Sequence, residues 1–390
     1  MTSELPTSAR GAHGVRVERA RDPRLDALVG AEIVGSGVAP AAVVGWAERT
    51  GAGWSVRVGA AGASPEAVFD LASVTKPLTA IVAMQLVADG RLDRATTVGD
   101  ALPELAGSAV ATARLDDLLA HRAGLPPWGA LYRDDPWSVG PVRSEPPDGA
   151  VPSLSTMLAR AASRRDPTST GPSAPAVYSD LGYVLAGAVI ARVSGEPLAA
   201  RWERVSPATS AARRRAHDDG FDARVQPTER VPWRGGDVRG VVHDENAFML
   251  ERAGGDPGHA GAFGTVDDVL GVALRFVDLL GAAPLDPAPL LPATLAHEMV
   301  AAYALGSHRL GWDGLTVGAS SAGRRFGART FGHLGFTGTS VWADPDAAVV
   351  AVLLTNRTYP SRENQAIRGA RPRVHDALWA LYRDRGRDRR

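Results

Sequence analysis

The apolar run Ile81-Val82-Ala83-Met84-Gln85-Leu86-Val87, closed by Asp89-Gly90, directly follows Phe69-Asp70-Leu71-Ala72-Ser73-Val74-Thr75-Lys76-Pro77-Leu78. Together they read as a buried helix that begins near Ser73 and stops at Gly90. Residues three apart on a helix share a face, so Ser73 and Lys76 meet on one side of its first turn. Serine at a helix start is often only an N-cap. Here, however, a capping box would want Glu or Gln where Lys76 stands, and a cation in the first turn opposes the helix dipole.

Lysine and arginine total 43, and Lys76 is the one lysine, so the other 42 are arginine. Arginine meets any need for fixed positive charge, but its pKa is too high for it to release a proton. A position that keeps the sole lysine therefore needs an amine that can become neutral. Ser73 is the candidate nucleophile and Lys76 its activating base.

A chain of 390 residues, 45% hydrophobic and 22% charged, is an ordinary globular composition with room for one large domain or two smaller ones. A net charge of zero gives no pull toward nucleic acid or an anionic membrane. The absence of cysteine excludes disulfides and thiolate metal sites. Met1 to Pro6 has neither the positive flank nor the apolar core of a secretory signal, so a cytoplasmic location is expected. No cofactor or metal is called for.

Residues 1–22 are polar and patternless and are expected to form a flexible arm. Leu25 to Val34 has helical spacing. The stretches 42–47 and 54–58 flank Thr50-Gly51-Ala52-Gly53 as a hairpin. Leu181 to Val193 reads as a helix ended by Ser194-Gly195, and Thr265-Val266-Asp267-Asp268 as a capping box opening another. In the last third, 328–331, 339–343 and 347–354 are β-like, and a helix is expected over 374–382. Strands at both ends with helices between predict an α/β fold: a central antiparallel sheet from residues near 38–60 and 325–356, flanked by helices. The division expected is a sheet domain of 23–70 and 315–390 with a mostly helical region of 71–314 inserted. The loop 127–150, with Trp128 and Trp137, is expected to shape the substrate pocket, although core packing would account for those rings equally well.

Tyr178-Ser179-Asp180 precedes the 181–193 helix. Asp180 could cap that helix. Alternatively, Tyr178 shares a proton with Lys76: both have ordinary pKa values near 10, and placed together at the positive end of a helix each is expected to lower the other's. Phe331-Gly332-His333-Leu334-Gly335-Phe336-Thr337-Gly338 opens the C-terminal strands. Its glycines would let a ligand backbone approach, and His333 could hold substrate or carry protons. His243-Asp244-Glu245 reads as a loop-ordering hydrogen-bond network in preference to a metal site. There is no Gly-x-Ser-x-Gly elbow, P-loop or zincin motif.

Taken in order, Ser73-Val74-Thr75-Lys76, Tyr178-Ser179-Asp180 and His333-Leu334-Gly335 resemble the three signature motifs of the serine β-lactamase and penicillin-binding protein superfamily. The tyrosine makes the chain similar to its class C β-lactamase and esterase branch. The stretches 121–126, 240–247 and 258–261 are similar to that branch as well. The resemblance implies a β-lactamase/transpeptidase-like fold, a Ser73 acyl-enzyme, and Lys76 with Tyr178 as the acid/base pair. It also implies an oxyanion hole from the backbone N–H groups of Ser73 and Phe336, with Asp180, His333, Gly335 and Phe336 touching substrate. Two departures stand out: Asp180 replaces the asparagine of Tyr-x-Asn, and His-Leu-Gly replaces Lys-Thr-Gly. Both weigh against efficient β-lactamase action. They point to an esterase, amidase or D-amino-acid peptidase acting on a small or peptide-like substrate, with an acyltransferase or a non-turning-over sensor as the alternatives.

Overall fold

Strands from the two ends of the chain meet in one sheet. The computed structural model describes residues 7–10, 16–51, 53–138, 150–206, 223–281, 285–286 and 288–383. The sheet strands are β1 (Thr7–Arg10), β2 (Arg16–Arg21), β3 (Ala42–Thr50), β4 (Gly53–Ala61), β5 (Asp313–Gly314), β6 (Phe331–Leu334), β7 (Ser340–Asp344) and β8 (Val349–Thr355). Their order is β1-β2-β4-β3-β8-β7-β6-β5. The seam between N- and C-terminal strands is β3 against β8, antiparallel from Ala42↔Thr355 to Glu48↔Val349. The predicted hairpin closes at Thr50↔Gly53.

The helices that matter here are α1 (Pro23–Val29), α2 (Thr75–Ala88), α3 (Asp180–Ser194), α4 (Val266–Leu279) and α5 (Ile367–Tyr382). Side chains alternate across a strand, so β8 presents Val349, Ala351 and Leu353 to one layer and Val350, Val352 and Leu354 to the other. The first set packs with Leu25 and Val29 of α1, Val374 and Leu378 of α5, and Trp46. The second joins the large core that holds Leu270 and Ala273 of α4 and most of α2. With both faces covered, the strand reads as a continuous apolar run instead of an alternating one. The fold is α/β, as expected.

Several sequence expectations are corrected. Arg16–Arg21 is no loose arm; it pairs in parallel with β4, Val17 opposite Trp54 and Arg21 opposite Val58. A segment with arginines at 16, 19 and 21 carries little strand signal, and its partner's backbone supplies the order. The expected strand 328–331 lies three residues later, because Gly332 tolerates close pairing: a Cβ there would sit 2.1 Å from Val341 O. The last helix, expected over 374–382, starts earlier, at Ile367, and runs through Pro372. Part of the irregular 207–240 stretch forms a small hairpin, Glu229–Val231 against Gly236–Val238; residues 207–222 lie outside the described residues. Among the described residues no helix is long and apolar enough to cross a membrane.

Candidate active site

The turn that carries Ser73 is built by Asp70. Its buried carboxylate accepts Ala72 N–H at 2.8 Å through Oδ1 and His243 N–H at 2.7 Å through Oδ2. Ala72, with φ +47°, occupies the left-handed region that non-glycine residues avoid at a cost of roughly 1–2 kcal/mol. Ser73 lies in the 3-10 turn Ala72–Val74 that leads into α2, and its side chain caps nothing. Its Oγ instead accepts a hydrogen bond from Lys76 Nζ at 2.8 Å. The N-cap reading is thereby removed, and the Ser-x-x-Lys pairing inferred from helical spacing is present.

Lys76 is fully buried. Its ammonium also donates to Asp180 Oδ1 at 2.7 Å and to His259 O at 3.1 Å. The 258–262 segment is fixed onto α2 by Thr79 Oγ1 donating to Gly258 O at 2.7 Å and Ala262 N–H donating to Thr75 Oγ1 at 3.1 Å. Tyr178 stands beside this cluster: Nζ lies 4.8 Å from the centre of its ring. Ser179, not Asp180, caps α3, accepting from Gly182 N–H. That arrangement frees the Asp180 carboxylate for Lys76.

The expectation that Lys76 and Tyr178 lower each other's pKa holds in one direction only: the Lys76 charge pulls Tyr178 down, Tyr178 does not lower Lys76, and both end above their ordinary values. For Lys76, burial favours the neutral amine, but the negative charge of Asp180, the hydrogen bond to it and the neighbouring phenol outweigh it. Tyr178 is raised by burial and by Asp180, against the opposing pull of Lys76. The resting site therefore holds an ammonium, a carboxylate and a neutral phenol.

Three histidines surround the phenol. Ring centres of His121, His308 and His333 lie 4.5, 5.5 and 6.2 Å from that of Tyr178. All three are held neutral. Burial, then the neighbouring histidine and lysine charges, drives His121 far down. Burial also lowers His308, and burial with the Lys76 charge takes His333 to about 3. His333 Nδ1 pairs with Leu334 O at 2.9 Å, a bond that favours the protonated ring, but burial outweighs it and the ring offers the site no positive charge. Sequence reasoning missed His308: a single histidine in a loop carries no pattern. It quoted His121 only as part of a similar stretch.

A cavity of about 770 Å³ opens on this cluster. Ser73, Tyr178, Asp180, His333, Gly335 and Phe336 all line it, so the predicted site residues other than the buried Lys76 share one space. Trp128 lines it too. Trp137 instead packs beside Gly129 and under Arg164, whose guanidinium is 4.7 Å from the ring centre. Residues 139–149 of that loop lie outside the described residues. The Gly335 backbone is approached by protein, not ligand: a Cβ there would stand 1.9 Å from Thr339 Oγ1 and 2.5 Å from Leu71 O. The network expected at His243-Asp244-Glu245 is present, with His243 on Glu229, Asp244 on His259 and Glu245 on Arg362, at 2.8, 2.8 and 2.6 Å. Among the described residues no group of three or more such side chains could hold a metal ion.

Comparison with known proteins shows the family and the fold. A family model described as Beta-lactamase matches residues 32–374. The chain is 28% identical to an N-acetylmuramyl-L-alanine amidase of Bacillus subtilis (strain 168) over 314 residues, 75% of this chain and 68% of that protein. It is 30% identical to Esterase EstB of Burkholderia gladioli over 231 residues, 53% and 56% of the two chains. Its fold is similar to that of a class C beta lactamase from Rhodobacter sphaeroides, with a TM-score of 0.60 at 18% identity, covering 91% of this chain and all of that one.

Proposed function

This chain belongs to the Beta-lactamase family of serine hydrolases, and from that premise we propose that it opens an ester or amide through an acyl-enzyme on Ser73. The observation that carries the reading is the 2.8 Å contact between Ser73 Oγ and the buried amine of Lys76, at the wall of a substrate-sized cavity. Because Lys76 rests as an ammonium, it cannot take the serine proton until it has passed one on. Asp180, 2.7 Å from Nζ, is the acceptor at hand. As Ser73 attacks the carbonyl carbon, Lys76 gives one proton to Asp180 and takes the serine's, so the pair gains one positive charge opposite the negative charge that develops on the carbonyl oxygen. The neutral Tyr178 phenol is placed to donate a proton to the leaving alkoxide or amine. Water then attacks the acyl carbon, its proton restores the Tyr178 phenol, and the Lys76–Asp180 pair returns a proton to Ser73 Oγ as the acid is released.

Neutral His333 supplies no fixed charge for a lactam carboxylate, and the Asp180 oxygen bound by Lys76 offers no amide donor. Both support an esterase or amidase with weak β-lactamase action. A panel of short-chain nitrophenyl esters, a chromogenic cephalosporin, D-alanyl peptides and muropeptide amides tests the reading, with mass spectrometry of a fluorophosphonate adduct locating the nucleophile. An adduct on a residue other than Ser73, or cephalosporin turnover far above ester turnover, would reject it.

A further inference from the structure

We infer that Arg371, on α5, is a positioning residue for the oxyanion hole; the inference rests on the hydrolase reading above. Arg371 Nη2 donates to Gly335 O at 2.6 Å and to Thr339 O at 2.9 Å. Gly335 C=O belongs to the same peptide unit as Phe336 N–H, the second oxyanion donor that the family resemblance implies. In a trans peptide these two groups point opposite ways. A cation clamped on the carbonyl fixes the direction of that N–H and draws electron density from it, strengthening it as a donor to developing negative charge.

Two further observations separate this clamp from a simple tether. Arg371 is buried, and among the described residues no carboxylate faces it: burial and the charge of Arg357 lower its pKa to about 9, and its Nε has no acceptor there. A bare buried cation is costly, and a neutral donor could tether the turn without that cost. The carbonyl on the other side of Phe336 is held in the same way, Arg357 Nε donating to Phe336 O at 2.7 Å. The turn is also bound to the nucleophile's own segment, through Thr337 Oγ1 donating to Asp70 O and Thr339 Oγ1 donating to Leu71 O, at 2.7 and 3.0 Å. The two N–H donors thus sit on backbone pieces locked to each other, with guanidinium groups behind one of them.

The test compares wild type, Arg371→Gln and Arg371→Lys on a neutral nitrophenyl ester, and measures the affinity of a boronic acid that forms a tetrahedral adduct on Ser73. The amide signal of Phe336 is followed by NMR in the same samples. Arg371→Gln is expected to lower kcat about 30-fold with KM within twofold, to weaken the boronate by a similar factor, and to move the Phe336 amide proton upfield. Arg371→Lys, which keeps a charge near the carbonyls, is expected to retain at least a third of kcat. A glutamine variant with unchanged kcat, with the whole loss in KM, or with the Phe336 amide unmoved overturns the inference. If that variant does not fold, a folded Arg371→Lys enzyme below a tenth of wild-type kcat overturns it as well. The amide shift is read without turnover, so an inactive wild type would reject the hydrolase reading while leaving the polarisation of Phe336 separately measured.

Discussion

Asp180 Oδ1 lies 2.7 Å from Lys76 Nζ and closes a buried ion pair directly behind the nucleophile. One partner is wholly buried and the other is still open to the cavity. The pair decides the protonation of the site, because without Asp180 burial alone would favour a neutral amine. A carboxylate at this position therefore changes the chemistry as well as the contacts offered to substrate.

Replacing that carboxylate by its isostere separates the two roles. Asp180→Asn removes the proton acceptor, and kcat/KM on a nitrophenyl ester at pH 7 is expected to fall about 100-fold, within the usual range for an acid–base group. Steady-state kinetics checks this. Activity at or above wild type would mean that a neutral lysine suffices unaided.

Ser73→Ala is expected to abolish ester turnover and fluorophosphonate labelling while leaving the melting temperature within about 2 °C, since the side chain caps no helix. Comparable activity in the variant would refute the nucleophile assignment.

Lys76→Arg keeps the charge but not the exchangeable proton. A drop of at least tenfold in kcat is expected. A variant above a tenth of the wild-type rate would reduce Lys76 to an electrostatic role.

Gly335→Ala places a methyl group against Thr339 and the Leu71 carbonyl. The turn must shift, so melting temperature and kcat should fall together, kcat by about tenfold or more. A fully active, equally stable variant would show that the turn has slack.

His375 is buried, bonded through Nε2 to Ser340 Oγ at 3.0 Å, and held neutral by burial and the Arg371 charge with a pKa of about 3. Its folded value lies below its unfolded one, so its stabilising contribution is complete above about pH 6.5 and is lost as pH falls toward about 3. Urea midpoints measured at pH 7.5 and 5.0 should differ less in His375→Gln than in wild type. An equal or larger difference would remove His375 from the acid sensitivity.

Much of this was legible from residue order alone. The long buried helix, the capping box at Thr265 and the hairpin at 50–53 are local patterns, set by periodicity and turn chemistry within a few residues. The chain's one lysine marked itself as the candidate base because arginine cannot substitute for an amine that must give up a proton. Less legible were β2, whose arginines hide a strand ordered by its neighbour, and the early start of α5, whose first turns carry Pro372 inside the helix.

The amino-acid sequence by itself singled out Ser73 and Lys76 as candidate nucleophile and amine, because spacing on one helical turn and a distinctive composition are local properties; Tyr178 was singled out by its resemblance to the family's second motif. Only the tertiary structure decided the charges. Whether Lys76 rests as an ammonium depends on a carboxylate 104 positions away, and whether the Phe336 peptide is polarised depends on an arginine from the last helix. Such terms follow distance and burial, which packing sets and order along the chain does not.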